Sequence, residues 1–333
     1  MAALFDSAEP VFAPRTSEGF GARVAAELGV SLAPLEEREF DGGEHKVRPL
    51  VEVRGRRCWV VHSLHGDQEA SSNDRLCRAL FLIGALRDAG AAHVSVCLPY
   101  LAYGRKDRRT KHRDPVTTRY VAQLFEAVGT DRVVALEVHN PAAFDNAFRC
   151  ESVALTFTSL LARWLEQRRV DSLVVVSPDV GGVKRAQLAR ELIAELLGIE
   201  VGFAFMEKRR TAGTVSGHLM IGEVVDKPVL IVDDLIASGG TVLRAAAACR
   251  EAGARRVDVA ACHAVFTPDA RKLFAEGGPD SILVTNSVPI PFAPDEAASL
   301  EVVDAGALVA EAMRRLQAGK ALGELLGTVE RPP

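Results

Sequence analysis

The stretch from Pro228 to Ala254, PVLIVDDLIASGGTVLRAAAACREAGA, constrains this chain more than any other. Val229 to Val232 is a short apolar run rich in β-branched residues, the kind that forms a buried parallel strand. From Thr241 the apolar residues return at helical spacing, and Gly253 is placed to end that helix. Asp233 and Asp234 are expected where the strand ends, and Ser238-Gly239-Gly240-Thr241 where the helix opens. Glycine lets backbone N–H groups approach an anion closely, and a helix N-terminus adds partial positive charge. Paired carboxylates beside such a cradle can accept from ribose hydroxyls and help hold Mg²⁺. An ordinary strand–turn–helix with solvated acids is the plain alternative. Asp-Asp before the turn and Thr after it favour a sugar-phosphate site.

The other motifs must accompany that site. A chain of 333 residues is long enough for two domains with separate cores. Its net charge of −4 offers no nucleic-acid footprint, so substrate anions have to be met by local clusters. The most basic cluster, Tyr100 to Pro115, follows the strand predicted over His93 to Leu98 and carries Arg105 and Lys106. His139 follows another strand, read over Arg132 to Glu137. Phe40-Asp41-Gly42-Gly43-Glu44 is a charged hairpin or loop with one exposed-looking aromatic ring. A second strand–Asp–Gly-Gly–helix turn spans Ser177 to Arg185 and includes Asp179, Gly181 and Gly182. Met206 to Gly217 sets Lys208, Arg209 and Arg210 before a Thr/Gly/Ser segment that is either a solvated hairpin or a mobile cationic loop. The sequence also echoes itself weakly, ALRDAGAAHVSVCLPY against ACREAGARRVDVAACH, as two halves of similar βαβ build would.

Six dispersed cysteines with no metal-ligand spacing read as free thiols, which favours a reducing, cytoplasmic compartment. No secretory signal or membrane-length apolar run is apparent. The fold class expected is α/β: two similar domains, each a mostly parallel sheet flanked by helices, with boundaries at 1–155 and 156–333.

Taken together, Phe40 to Glu44, Tyr103 to Asp107, Asp114 to Thr117, His139, Ser177 to Arg185, Lys208 to Arg210, Val232 to Thr241 and Val284 to Pro289 resemble the motifs of ribose-phosphate pyrophosphokinases. The domains then resemble the type I phosphoribosyltransferase fold. The resemblance implies Mg²⁺-dependent transfer of the diphosphoryl group of ATP to the anomeric hydroxyl of ribose 5-phosphate, in a homo-oligomer without nucleic-acid or membrane partners. It implies ATP binding by Phe40, Gly42, Gly43, Glu44, Arg105 and Lys106 from the first domain, and Mg²⁺ held by His139 and Asp179. Asp179, Gly181 and Gly182 would form the diphosphate loop. Asp233, Asp234, Arg210 and the loop Ala237, Ser238, Gly239, Gly240, Thr241 would take ribose 5-phosphate, with Lys208 and Arg210 catalytic. Three departures stand out: Ala237 replaces a third Asp found in many members, Lys106 replaces a Gln, and Gly42 replaces a middle acid or amide. Ala321 and Gly323 fall where the phosphate-activated branch carries serines, so activity without added phosphate is expected. The readings set against this one are a phosphoribosyltransferase acting on a nucleobase and a non-catalytic synthetase-like regulatory subunit.

Overall fold

Short apolar runs alternate with helical ones along the chain, and they assemble into two α/β units. The computed structural model describes residues 9–211 and 214–327, with the side chains of 208–218 and 324 outside the described set. One unit comprises residues 1–155 with 306–322, the other 156–305 with 323–333. The C-terminal helix thus belongs with the first unit, whereas the boundaries expected from sequence put everything after 155 in the second.

In the first unit β1 (Val11–Phe12) leads through α1 (Glu18–Glu27) to a hairpin of β2 (Leu35–Glu39) and β3 (His45–Pro49). The order continues with β4 (Arg57–Val61), α2 (Ser72–Asp88), β5 (His93–Leu98), α3 (Thr117–Ala127), β6 (Arg132–Leu136), α4 (Pro141–Ala147) and β7 (Glu151–Leu155). A parallel sheet runs β1-β4-β5-β6-β7, with the hairpin as a separate antiparallel pair. Side chains alternate across each strand. Cys58, Val60, Val94, Val96, Val133 and Ala135 share one core with α2, α3 and α4. Trp59, Val61, Cys97, Val134 and Leu136 face the other way and are buried too. The edge strand β7 forms because SVAL can pair with Val133 to Leu136 of β6.

In the second unit α5 (Thr158–Gln167), β8 (Ser172–Ser177), α6 (Val183–Leu197), β9 (Glu200–Thr211) and β10 (Thr214–Ile221) precede β11 (Pro228–Ile236). Then come α7 (Gly240–Glu251), β12 (Arg256–Ala264), β13 (Ser281–Thr285) and β14 (Leu300–Val303). The chain returns to the first unit with α8 (Gly306–Gln317), which packs against α1. The sheet order is β10-β9-β8-β11-β12-β13-β14, parallel except for the β9–β10 hairpin. Met206 to Gly217 therefore lies largely in two paired strands, while Ala212 and Gly213 fall outside the described residues. No described helix is long and apolar enough to cross a membrane, and none of the six cysteines forms a disulfide.

The sequence echo has a conformational basis. Gly90, after α2, and Gly253, after α7, take φ of +92° and +90°. Each lets a helix end and turn directly into a core strand.

Candidate active site

The second unit's sheet reverses direction at β8. From β8 the chain crosses to β9 on one side, whereas from β11, on the other side of β8, it crosses away to β12. The two crossover helices lie on opposite faces. Val242, Ala245, Ala246 and Cys249 of α7 share a core with Val174, Val176, Val229 and Ile231, while α6 packs on β8, β9 and β11 from the face of Val175 and Leu230. Such a reversal opens a crevice at the carboxyl ends of the two strands, where open α/β sheets bind ligands.

Asp233 and Asp234 were expected at the end of β11, but the strand runs on to Ile236. The two edges of β11 explain the difference. Its pairing with β12 continues to Ile236–Ala264, whereas its pairing with β8 ends at Ile231–Val176. Both carboxylates thus sit on backbone held firmly from one side, just past the last rung of the reversed side. Asp234 is buried, and the Asp233 side chain is 21% exposed. Arg185 of α6 comes within 3.5 Å of Asp233 and 3.4 Å of Asp234. Burial raises the Asp233 carboxyl well above the usual range, the neighbouring Asp234 raises it further, and Arg185 opposes both. Arg185 lay inside a motif singled out from sequence, but its pairing with a later strand follows only from the fold.

The turn after β11 is an open N-terminus. Gly239 precedes α7 with φ of +76° and, as glycine, brings no capping side chain to the helix. The first N–H groups of α7 therefore have no capping side chain to satisfy them. A Cβ on Gly239 would stand 2.6 Å from Cγ of Leu273, and the positive φ would strain any other residue there. Arg244 Nη2 lies 3.3 Å from Thr241 Oγ1.

The second Gly-Gly turn is built differently. Ser177, fully buried at the end of β8, donates to the Asp179 carbonyl at 2.7 Å, and Asp179 accepts from Gly182 N–H at 3.0 Å. One Asp179 oxygen is thus committed to holding the turn. A Cβ at Gly182 would come within 2.8 Å of Ser177 Oγ, which explains its glycine. Beside β11, the ends of β12 and β13 carry a polar network that sequence reading missed. His263 Nδ1 and Ser287 Oγ are 2.8 Å apart, and Thr285 Oγ1 donates to the Cys262 carbonyl at 2.8 Å. Its only trace in the sequence is a set of polar residues, CHA and VTNS, closing otherwise apolar runs.

In the first unit the basic loop and His139 follow the neighbouring strands β5 and β6. Asn140 Nδ2 donates to Asp107 at 2.6 Å and its Oδ1 caps α4, which fastens the loop to the histidine segment. Lys106 pairs with Asp114 at 2.5 Å. Asp114 also accepts from the Thr110 side chain and from N–H of Thr110 and Lys111. These bonds, led by that from Lys106, lower its carboxyl far below the usual range. Lys106 is therefore spent partly on shaping the loop, while Arg105 stays exposed. Phe40 is 42% exposed at the tip of the β2–β3 hairpin, with the Arg38 guanidinium 4.8 Å from its ring centre. Gly42 and Gly43 turn the tip with φ of +89° and +86°, so a side chain at position 42 would strain this hairpin.

The fold thus gathers Asp179, Gly181, Gly182, Asp233, Asp234 and residues 237–241 at the ends of two adjacent strands. In the other unit it gathers Arg105, Lys106 and His139. The Lys208 and Arg210 side chains lie outside the described residues. Among the described residues no group of three or more His, Cys, Asp or Glu converges as a metal site.

The N-terminal domain of ribose phosphate pyrophosphokinase matches residues 10–129, and the phosphoribosyl synthetase-associated domain matches residues 211–327. A ribose-phosphate pyrophosphokinase of Haemophilus ducreyi is 34% identical over 92% of this chain and 95% of its own length. One from a Nostoc species is 34% identical over 88% of this chain and 86% of its own. The crystal structure of phosphoribosylpyrophosphate synthetase from Mycobacterium smegmatis matches with a TM-score of 0.82 and 31% identity, covering 93% of this chain and 99% of that one.

Proposed function

The chain belongs to the ribose-phosphate pyrophosphokinase family, and from that premise we propose that it moves the β,γ-diphosphoryl group of ATP onto ribose 5-phosphate, releasing AMP. The observation that carries this reading is the pair Asp233–Asp234 at the strand reversal, next to the uncapped start of α7. The 5-phosphate takes the N–H groups of the Ala237–Thr241 turn, where charge-assisted bonds replace a missing cap. Asp233 and Asp234 accept from the ribose hydroxyls, which offsets the burial and repulsion that raise Asp233. The anomeric hydroxyl attacks the β-phosphorus through its oxygen and gives up its proton to solvent, the bond from that phosphorus to the α-phosphate bridging oxygen breaks, and AMP leaves with that oxygen. Lys208 and Arg210 stabilise the charge that builds on the transferred group. Arg105, Lys106 and the Phe40–Glu44 tip hold ATP, with Phe40 against the adenine.

Mg²⁺ fits the donors present, since a buried carboxylate pair under mutual repulsion suits a hard cation, and such a cation takes one or two carboxylates plus substrate phosphates. Asp179, with Asp233–Asp234 assisting, is the proposed Mg²⁺ contact in the second unit, and His139 the proposed contact in the first. When bound, the ion neutralises phosphate charge.

The test is a product assay with ATP, ribose 5-phosphate and Mg²⁺, followed by chromatography for AMP and the 1-diphosphate. AMP formed in step with ribose 5-phosphate consumed is the expected result. Nucleobase-dependent release of diphosphate without AMP would mean a phosphoribosyltransferase, and substrate binding without turnover a regulatory subunit. Inorganic phosphate should not be required, because Ala321 and Gly323 bring no side-chain donors to the tail. A large activation by phosphate in a phosphate-free buffer would overturn that expectation.

A further inference from the structure

The segment after β12 has no role in the reading above, yet it packs on the phosphate turn. Pro268–Phe274 is a 3₁₀ helix of seven residues. Such runs rarely exceed three or four residues, because their hydrogen bonds are poorly aligned, so a longer one needs outside support. Here the support is specific. At its start Thr267 N–H donates to the Ala237 carbonyl at 3.2 Å. At its exit Arg250, in the last turn of α7, donates to the carbonyls of Gly277 and Gly278 at 2.9 and 2.6 Å. Both ends are therefore tied to the turn–helix element that carries the phosphate site.

The side chains complete the brace. Leu273 is fully buried, and its Cγ and both methyl groups lie within 3 Å of where a Gly239 Cβ would be. The outer side of the segment is anchored by three rings. Phe266 stands 5.2 Å from Phe292 and 6.1 Å from Phe274, and Phe274 stands 5.5 Å from Phe292. Arg271 lies 5.2 Å from the Phe292 ring and bonds to Glu296 at 3.0 Å. Gly239 itself has no side-chain cap to hold its left-handed conformation. Glycine leaves that conformation easily, so packing from outside has to select it.

On the reading of residues 237–241 as the ribose 5-phosphate loop, we propose that Leu273 is a positioning residue for that loop, holding Gly239 in the conformation that aims the first N–H groups of α7 at the 5-phosphate. The other residues of Pro268–Phe274 and the three phenylalanines hold Leu273 in place.

Steady-state kinetics with each substrate varied in turn test this. Leu273→Ala should raise KM for ribose 5-phosphate roughly tenfold, as for loss of a group that fixes geometry without touching substrate. KM for ATP should stay within about twofold, since the first unit supplies the residues assigned to ATP. Leu273→Met, of similar volume, should restore the parent values. Should Leu273→Ala fail to fold, Leu273→Val carries the same prediction with a smaller shift. Equal shifts in both KM values, or a lowered melting temperature with parent kinetics below it, would overturn the proposal. Thr241→Val separates this claim from the one beneath it. If Thr241→Val leaves KM for ribose 5-phosphate unchanged, the loop assignment fails. If it raises that KM while Leu273→Ala does not, only the positioning role fails.

Discussion

The two units use the same strand–helix–strand material and differ in how the chain leaves its strands. In the first, β4 to β7 follow one another across the sheet, and α2, α3 and α4 share one core on one face. In the second, the order reverses at β8, α6 and α7 take opposite faces, and β11 loses its β8 partner two residues before the first carboxylate. Both units carry polar loops at the carboxyl ends of their strands. Only the second joins a strand reversal, a buried acid pair and an uncapped helix N-terminus at one place. Strand order, as much as residue type, thus decides which strand-end loop we propose as the sugar-phosphate site.

The comparison can be broken first at the chemistry. Lys208→Ala should lower kcat by ~10²-fold or more, the scale for removing one transition-state stabilising group, with little change in KM for ATP. Near-parent kcat in that variant would move the reacting centre away from the second unit. A smaller effect is expected in the first unit. Arg105→Ala should raise KM for ATP by roughly tenfold, because one exposed cation is lost from the proposed ATP site, which Lys106 is assigned to share, and leave KM for ribose 5-phosphate unchanged. A change in the ribose 5-phosphate value instead would reverse the assignment of the units.

The smallest effect sharpens the contrast in stability. At the end of β4, His62 is enclosed between Ser17 and the Arg75 carbonyl, at 2.8 and 3.1 Å. Nearby, His65 meets Asp67 at 3.1 Å, and Asp67 also pairs with the buried Arg75. Burial, with the Arg75 charge, lowers His62 to about 3 and His65 to about 4, from 6.5 when unfolded. Their folded values lie below the unfolded one, so the neutral-histidine contribution is complete above pH 6.5 and is lost as pH falls toward 4 and 3. Asp233 goes the other way. Its folded value is raised above 3.8, so its contribution is complete below 3.8 and is lost as pH rises through the folded value. Each unit has its own reporter, because the two tryptophans are Trp59 in the first and Trp164 in the second. In Trp164→Phe, acidification from about pH 7 to about pH 5 should lower the Trp59 fluorescence melting midpoint. In Trp59→Phe, the Trp164 midpoint should gain from Asp233→Asn at neutral pH and gain less toward pH 4. Midpoints that move together in both variants would remove the contrast.

Much of this was legible in the sequence, and the rest shows what a one-dimensional pattern leaves out. The strand over His93 to Leu98 falls where its apolar run placed it, because between them β4 and β6 pair with it along its whole length. The strand at Asp233 was read short because carboxylates argue against burial, while unequal pairing on its two edges leaves no mark in the sequence. Ser71 caps α2 in a reciprocal box with Asp74, so the acid in that first turn answers the cap rather than making it. Arg185 beside Asp233, Asp107 beside Asn140, and Leu273 beneath Gly239 join residues 48, 33 and 34 positions apart. Such pairs become visible only once strand order is known. The run PDARKLF gives no periodic signal, since three-residue turns bury Ala270 and Leu273 on one side only.

The central claim is that the acid pair at the strand reversal in the second unit holds ribose 5-phosphate. Titration calorimetry of ribose 5-phosphate into the parent and into Asp233→Asn tests it most directly, with ATP titrated into both in the presence of Mg²⁺. The account predicts that Asp233→Asn weakens ribose 5-phosphate binding by at least ~10-fold, as expected for a lost charged acceptor, and leaves ATP affinity near the parent value. Parent-like binding of ribose 5-phosphate to Asp233→Asn, or an equal loss for ATP, would contradict it.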